Sequence, residues 1–137
     1  MDKPRAIIII SFIAILSLLL TIIAYNSWKV VSINEYDVTL SVGHRIGFDV
    51  GGNNLSFGTT FPGSESSRKI QIKNDFTSPV RVMVKNIGET AKFVLVEKNS
   101  FMLGKGQTED LDFIAKVPPN AAYGNYTGKI IIRTLRA

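Results

Sequence analysis

The chain has 137 residues, no cysteine, one histidine and a net charge of +5 from 16 basic and 11 acidic side chains. Without cysteine there is no disulfide framework, thiol nucleophile or cysteine metal site, and a single histidine excludes a histidine triad or multi-histidine metal centre within one chain. The basic residues are spread from Lys3 to Arg136 in no run longer than Arg68-Lys69, which argues against nucleic acid as a partner, since such surfaces concentrate charge on one element.

The first element is an apolar helix. From Ala6 to Ile23 only Ser11, Ser17 and Thr21 are polar, and residues 6–25, at ~1.5 Å per residue, span about 30 Å, the thickness of a bilayer's hydrocarbon core. A cleaved signal peptide has a shorter apolar run and a small-x-small exit, whereas this run leaves through Tyr25-Asn26-Ser27-Trp28-Lys29. The stretch therefore reads as an uncleaved signal anchor. Tyr25 and Trp28 suit the headgroup level and Lys29 the aqueous layer. Lys3 and Arg5, on a stub of residues 1–5, outweigh Lys29, so the positive-inside bias puts the amino terminus in the cytoplasm and the rest of the chain outside. Ser17 and Thr21, at i and i+4, are read as hydroxyls bonding back to their own helix, although with Ala14 they also form a small-residue stripe suited to helix contact.

Residues 26–29 are expected to be a short linker, and residues 30–137 one domain of ordinary size. Period-two alternation dominates there: Ile70 and Ile72 alternate with Lys69, Gln71 and Lys73, and Val80, Val82 and Val84 with Arg81, Met83 and Lys85. Ile72 and Val82 are thus predicted to face the core. Further strands are predicted over residues 37–42, 45–50, 54–60, 92–97, 109–117 and 126–135. Turn signals separate them at Gly51-Gly52-Asn53-Asn54, Phe61-Pro62-Gly63-Ser64, residues 74–79 and Gly104-Lys105-Gly106, and Pro118-Pro119 stops a strand by removing two donors. Eight short strands at about ten-residue spacing, with no amphipathic helical window between them, predict an all-β sandwich behind one transmembrane helix.

Leu55-Ser56-Phe57-Gly58, Phe61-Pro62-Gly63-Ser64, the run Arg68 to Asn74 and Pro79-Val80-Arg81-Val82 together resemble the pattern of immunoglobulin-like sandwich domains of the Hydin and major-sperm-protein type. Val117-Pro118-Pro119 with Tyr123-Gly124-Asn125-Tyr126-Thr127-Gly128-Lys129-Ile130 is similar to the last-hairpin line of prokaryotic surface domains of that broad group. The resemblance covers about residues 53–133 and implies an immunoglobulin-like sandwich with scaffolding, adhesion or interaction roles and no catalytic residues. In layout alone, the chain also resembles accessory envelope proteins of archaea, including those that tie the archaellum motor to the surface layer.

Candidates for chemistry are few. His44, between Gly43 and Arg45, reads as a turn residue. Glu109, Asp110 and Asp112 form the densest acidic cluster; with Asp49 or the Glu35–Asp37 pair they would have to furnish the six to eight oxygens that calcium takes, and they read instead as a solvated strand face opposite Leu111, Phe113 and Ala115. Gly51-Gly52 and Gly104-x-Gly106 lack the helix and the Lys-Ser/Thr of a phosphate loop and read as hairpin turns. No metal or cofactor is expected. Asn54-Leu55-Ser56 and Asn125-Tyr126-Thr127 are acceptor sequons beside turns, making Asn54 and Asn125 candidate glycosylation sites.

The reading these residues favour is a non-enzymatic, single-pass membrane module. It has the bilayer as one partner through residues 6–25 and another membrane-proximal envelope protein as a second, and edge-strand or helix contacts leave room for a homo-oligomer. An enzyme finds neither a nucleophile–base pair nor a metal shell. A pilin-like filament subunit processed between Arg5 and Ala6 is the other alternative, from which Pro4 and the lack of an early acidic residue depart.

Overall fold

The computed structural model describes residues 3–44 and 54–137. It comprises one helix, α1 (Lys3–Lys29), and eight strands: β1 (Val30–Val42), β2 (Leu55–Thr60), β3 (Glu65–Lys73), β4 (Val80–Gly88), β5 (Val94–Val96), β6 (Ser100–Leu103), β7 (Thr108–Lys116) and β8 (Gly124–Arg136), with a 3₁₀ turn at Glu89–Lys92. The strands form two sheets, a large one in the order β2-β1-β8-β4-β6 and a small one in the order β3-β7-β5. The fold is thus a β-sandwich preceded by an apolar helix, as the alternation predicts.

Alternation decides which side of each strand is inside. Val80, Val82 and Val84 on β4, Leu111, Phe113 and Ala115 on β7, Ile130 and Ile132 on β8, and Val38, Leu40 and Val42 on β1 are all buried. They form one continuous core with Leu55 and Phe57 of β2. Val82 is fully buried, as expected. Ile72 is only partly buried and packs against the core from the edge strand β3, which explains the shallower position.

The turns follow their chemistry. Ser64 N donates to Phe61 O at 3.1 Å across Pro62-Gly63, and Gly63 has φ of 83°, the left-handed value that this position of the turn requires and glycine accepts freely. Asn74 fastens the β3–β4 connection to the β6–β7 turn. Its Nδ2 lies within 3.1 Å of the carbonyls of Ser78, Leu103 and Gly104, and its Oδ1 accepts from Phe76 N at 3.0 Å.

Several boundaries differ from expectation. Residues 26–29, read as a linker, form the last turn of α1, and Lys3 and Arg5, read as a stub, lie in its first two turns. β1 begins at Val30 and not at 37, because β8 pairs with it along its whole length even where it is unburied. The strand predicted over 92–97 shortens to β5, Lys92 being taken into the 3₁₀ turn, while β6 was not anticipated: its Phe101-Met102-Leu103 has no alternation to read. The strand predicted over 45–50 and the turn at residues 51–53 lie outside the described residues.

Candidate functional site

Helix α1 is apolar on every side. Between Ile7 and Ile23 each large side chain is roughly half exposed or more, and no part of the 26-residue span Pro4–Lys29 is buried against the sandwich. A soluble core helix hides one stripe; a helix apolar all round and covered by nothing has the pattern of a membrane span. Its length and composition are sufficient to cross a bilayer. Inside it, Thr21 Oγ1 donates to Ser17 O at 2.8 Å, so this hydroxyl is satisfied within its own helix.

The helix passes into β1 with no intervening loop, and its last turn meets the end of the large sheet. The Lys29 ammonium sits 5.1 Å from the Tyr25 ring centroid, one helical turn back, and the Arg136 guanidinium lies 4.9 Å from the Trp28 ring. Both rings stay largely exposed. A groove of 420 Å³ opens here, lined chiefly by Tyr25, Trp28, Lys29, Arg81, Leu135 and Arg136. A second hollow of 300 Å³ lies on the other side of Arg136, between Val31, Val80 and the loop carrying Phe76, Thr77 and Ser78. The predicted interfacial residues Tyr25, Trp28 and Lys29 therefore converge with β4 and β8. Arg81 and Arg136 were not singled out by sequence reasoning, since only the β4–β8 ladder brings them beside the helix end.

The other candidates are dispersed. His44 lies in the bend after β1, its ring 4.4 Å from that of Tyr123. Asp110 faces Lys69 Nζ at 3.5 Å and accepts from Gln71 Nε2 at 3.2 Å, Asp112 lies 3.9 Å from Lys69, and Glu109 pairs with Lys98. Hydrogen bonding and charge from Glu109 hold the Lys98 ammonium above the ordinary lysine range. The acidic cluster is thus a cation-paired outer face of β7, and no group of three or more metal-ligating side chains comes together among the described residues. Asn54 and Asn125 are both exposed, Asn125 accepting from Ser41 Oγ at 2.6 Å.

The sequence matches no protein-family model, and no curated protein matches it.

Proposed function

We propose that the chain is a single-pass membrane protein that presents a non-enzymatic β-sandwich on the outer side of the cell membrane, where it packs against another envelope component. The observation that carries this reading is the exposed apolar helix running without a loop into β1. A flexible linker would let the sandwich wander; a helix that becomes a strand at Lys29–Val30 keeps it beside the bilayer, so the partner is membrane-proximal. Lys3 and Arg5 ahead of the span favour an outward sandwich. Asn54 and Asn125, as exposed acceptor sequons, suit such a location. The resemblance to immunoglobulin-like envelope domains supports an interaction role. So does the open edge of β1: from Val30 to Asp37 it pairs with β8 on one side and, among the described residues, with no strand on the other. An edge of this kind accepts a strand from a neighbour.

Two measurements test the reading. Alkaline carbonate should leave the chain in the membrane pellet, and its release would remove the anchor. Protease added to intact cells should digest the sandwich; digestion only after lysis would reverse the topology.

A further inference from the structure

Among the described residues of the sandwich, the carboxylates that form ion pairs do so with lysines: Lys69, Lys73, Lys98, Lys116 and Lys129. The arginines are distributed otherwise. Arg68 donates to the carbonyls of Ser56 and Ser67. Arg81, Arg133 and Arg136 pair with no carboxylate among the described residues, and all three lie at the end of the β4–β8 ladder that adjoins the helix.

Register places Arg81 and Arg133 on one face, whereas Arg136, opposite the buried Val80, alternates to the other and reaches the groove from the end of β8. Arg81 is opposite Leu135 and Met83 is opposite Arg133, so Arg81 and Arg133 are diagonal neighbours on the outer face of the sheet, roughly 7–8 Å apart. Arg136 turns toward Trp28, and Lys29 lines the same groove. On this face Glu35 of β1, opposite Ile131 and ion-paired with Lys129, is a diagonal neighbour of Arg133, while Asp37 stands further up the ladder opposite Lys129. Arg81, Arg136 and Lys29 stand together in the wall of the groove with their charged ends exposed, where an anion can reach them. Guanidinium forks match phosphate bidentately, and the apolar floor supplied by Leu135 suits the glycerol end of a lipid.

Depth selects the source of the phosphate. Tyr25 and Trp28 mark the level at which amphipathic rings settle in a bilayer, and they are themselves walls of the groove. We propose that this groove binds the phosphate of an anionic lipid headgroup, held by Arg81 and Arg136 with Lys29 and Arg133 alongside, and that the bound lipid fixes the sandwich against the membrane surface. This rests on the reading of α1 as a membrane span.

Trp28 is the only tryptophan in the chain and lines the groove, so its fluorescence reports occupancy directly. The full chain in a neutral detergent, titrated with short-chain phosphatidylglycerol, should show a saturable emission change that salt weakens. Phosphatidylcholine of the same chain length should bind at least about fivefold more weakly, by the worth of one charge near an anionic lipid surface. Glycerol phosphate, which keeps the charge but has no acyl chains to lie on Leu135, should also bind more weakly. Arg81→Gln should weaken phosphatidylglycerol about fivefold and Arg81→Gln with Arg133→Gln about 25-fold, while Arg81→Lys falls between parent and Arg81→Gln. Lys129→Gln, far up the same face, should bind like the parent. An equal response to phosphatidylcholine, unchanged affinity in the double variant, or equal binding of glycerol phosphate would each overturn the assignment. Carbonate extraction of the same protein separates the two readings: a flat titration with the chain still in the pellet sinks the lipid site alone, whereas release of the parent chain sinks the anchor.

Discussion

Asn74 shows how one polar residue can hold a loop system. It is buried, it serves three carbonyls and one amide through its side chain, and its backbone adds bonds to Gln107 and Gly106. Asn74→Ala removes the side-chain partner while leaving the Leu103 carbonyl in the interior, so a loss of about 2–4 kcal/mol is expected, read as a lower unfolding midpoint in denaturant. Gly128 is a second sensitive point. It pairs with Gly88 beside the 3₁₀ turn, and a β-carbon there would stand 2.0 Å from Thr90 Oγ1 and 2.6 Å from the Ile87 carbonyl. The second neighbour is backbone and has nowhere to go. Gly128→Ala should therefore destabilise the sandwich by about 3 kcal/mol or more, measurable as a drop in Tm, whereas Gly106→Ala meets no atom within 4 Å and should bear only the cost of its positive φ, about 1 kcal/mol. Neither Asn74 nor Gly128 stands out as critical in the sequence: an asparagine at a strand end and a glycine within a strand are both common, and the decisive neighbours, Leu103 and Gly104 for Asn74 and Ile87 and Thr90 for Gly128, are distant in the chain.

At the level of elements, β4 offers the sharpest test of register. Val82 is fully buried beside Phe101 and Thr134, and Met83, one residue on, is 44% exposed opposite Arg133. Val82→Asp buries an unpaired carboxylate and should cost several kcal/mol, about enough to unfold a domain of ordinary stability. Met83→Asp places the same group in water next to a guanidinium and should change stability by less than about 1 kcal/mol. Thermal melts of the two variants followed by circular dichroism check the pair; equal losses would mean the register is off by one. The alternation of this strand was fully legible because one face meets the small sheet. In the first half of β1 it was not, since Ser32 to Asp37 belong to a strand through pairing with β8 and not through burial. β6 is the opposite case: three consecutive apolar residues on a four-residue edge strand, with Leu103 inside and Met102 outside, carry no period that a sequence can display.

At the scale of the whole molecule, the question is whether α1 keeps its basic residues. The helix begins at Lys3, so cleavage after Arg5 would take away its opening residues and leave a new amine at Ala6 with no acid anywhere in the helix to pair with it. Intact-mass measurement of protein from its native membrane should show a chain retaining Lys3 and Arg5. A chain starting at Ala6 would move the assignment to a filament subunit, whose neighbours would have to cover the apolar helix that the sandwich leaves bare.

The sequence by itself determined the apolar helix, the fold class and most of the residues that face the core, because each is written as a local pattern: an unbroken apolar run long enough to cross a bilayer, and alternation of period two on half-buried strands. It also placed Tyr25, Trp28 and Lys29 at the helix exit. Only the tertiary structure decided what stands beside them. Arg81 and Arg136 are 53 and 108 residues beyond Trp28 in the chain, and they reach the helix end through the pairing of β4 with β8 and of β8 with β1, a matter of register between distant strands that no local pattern encodes.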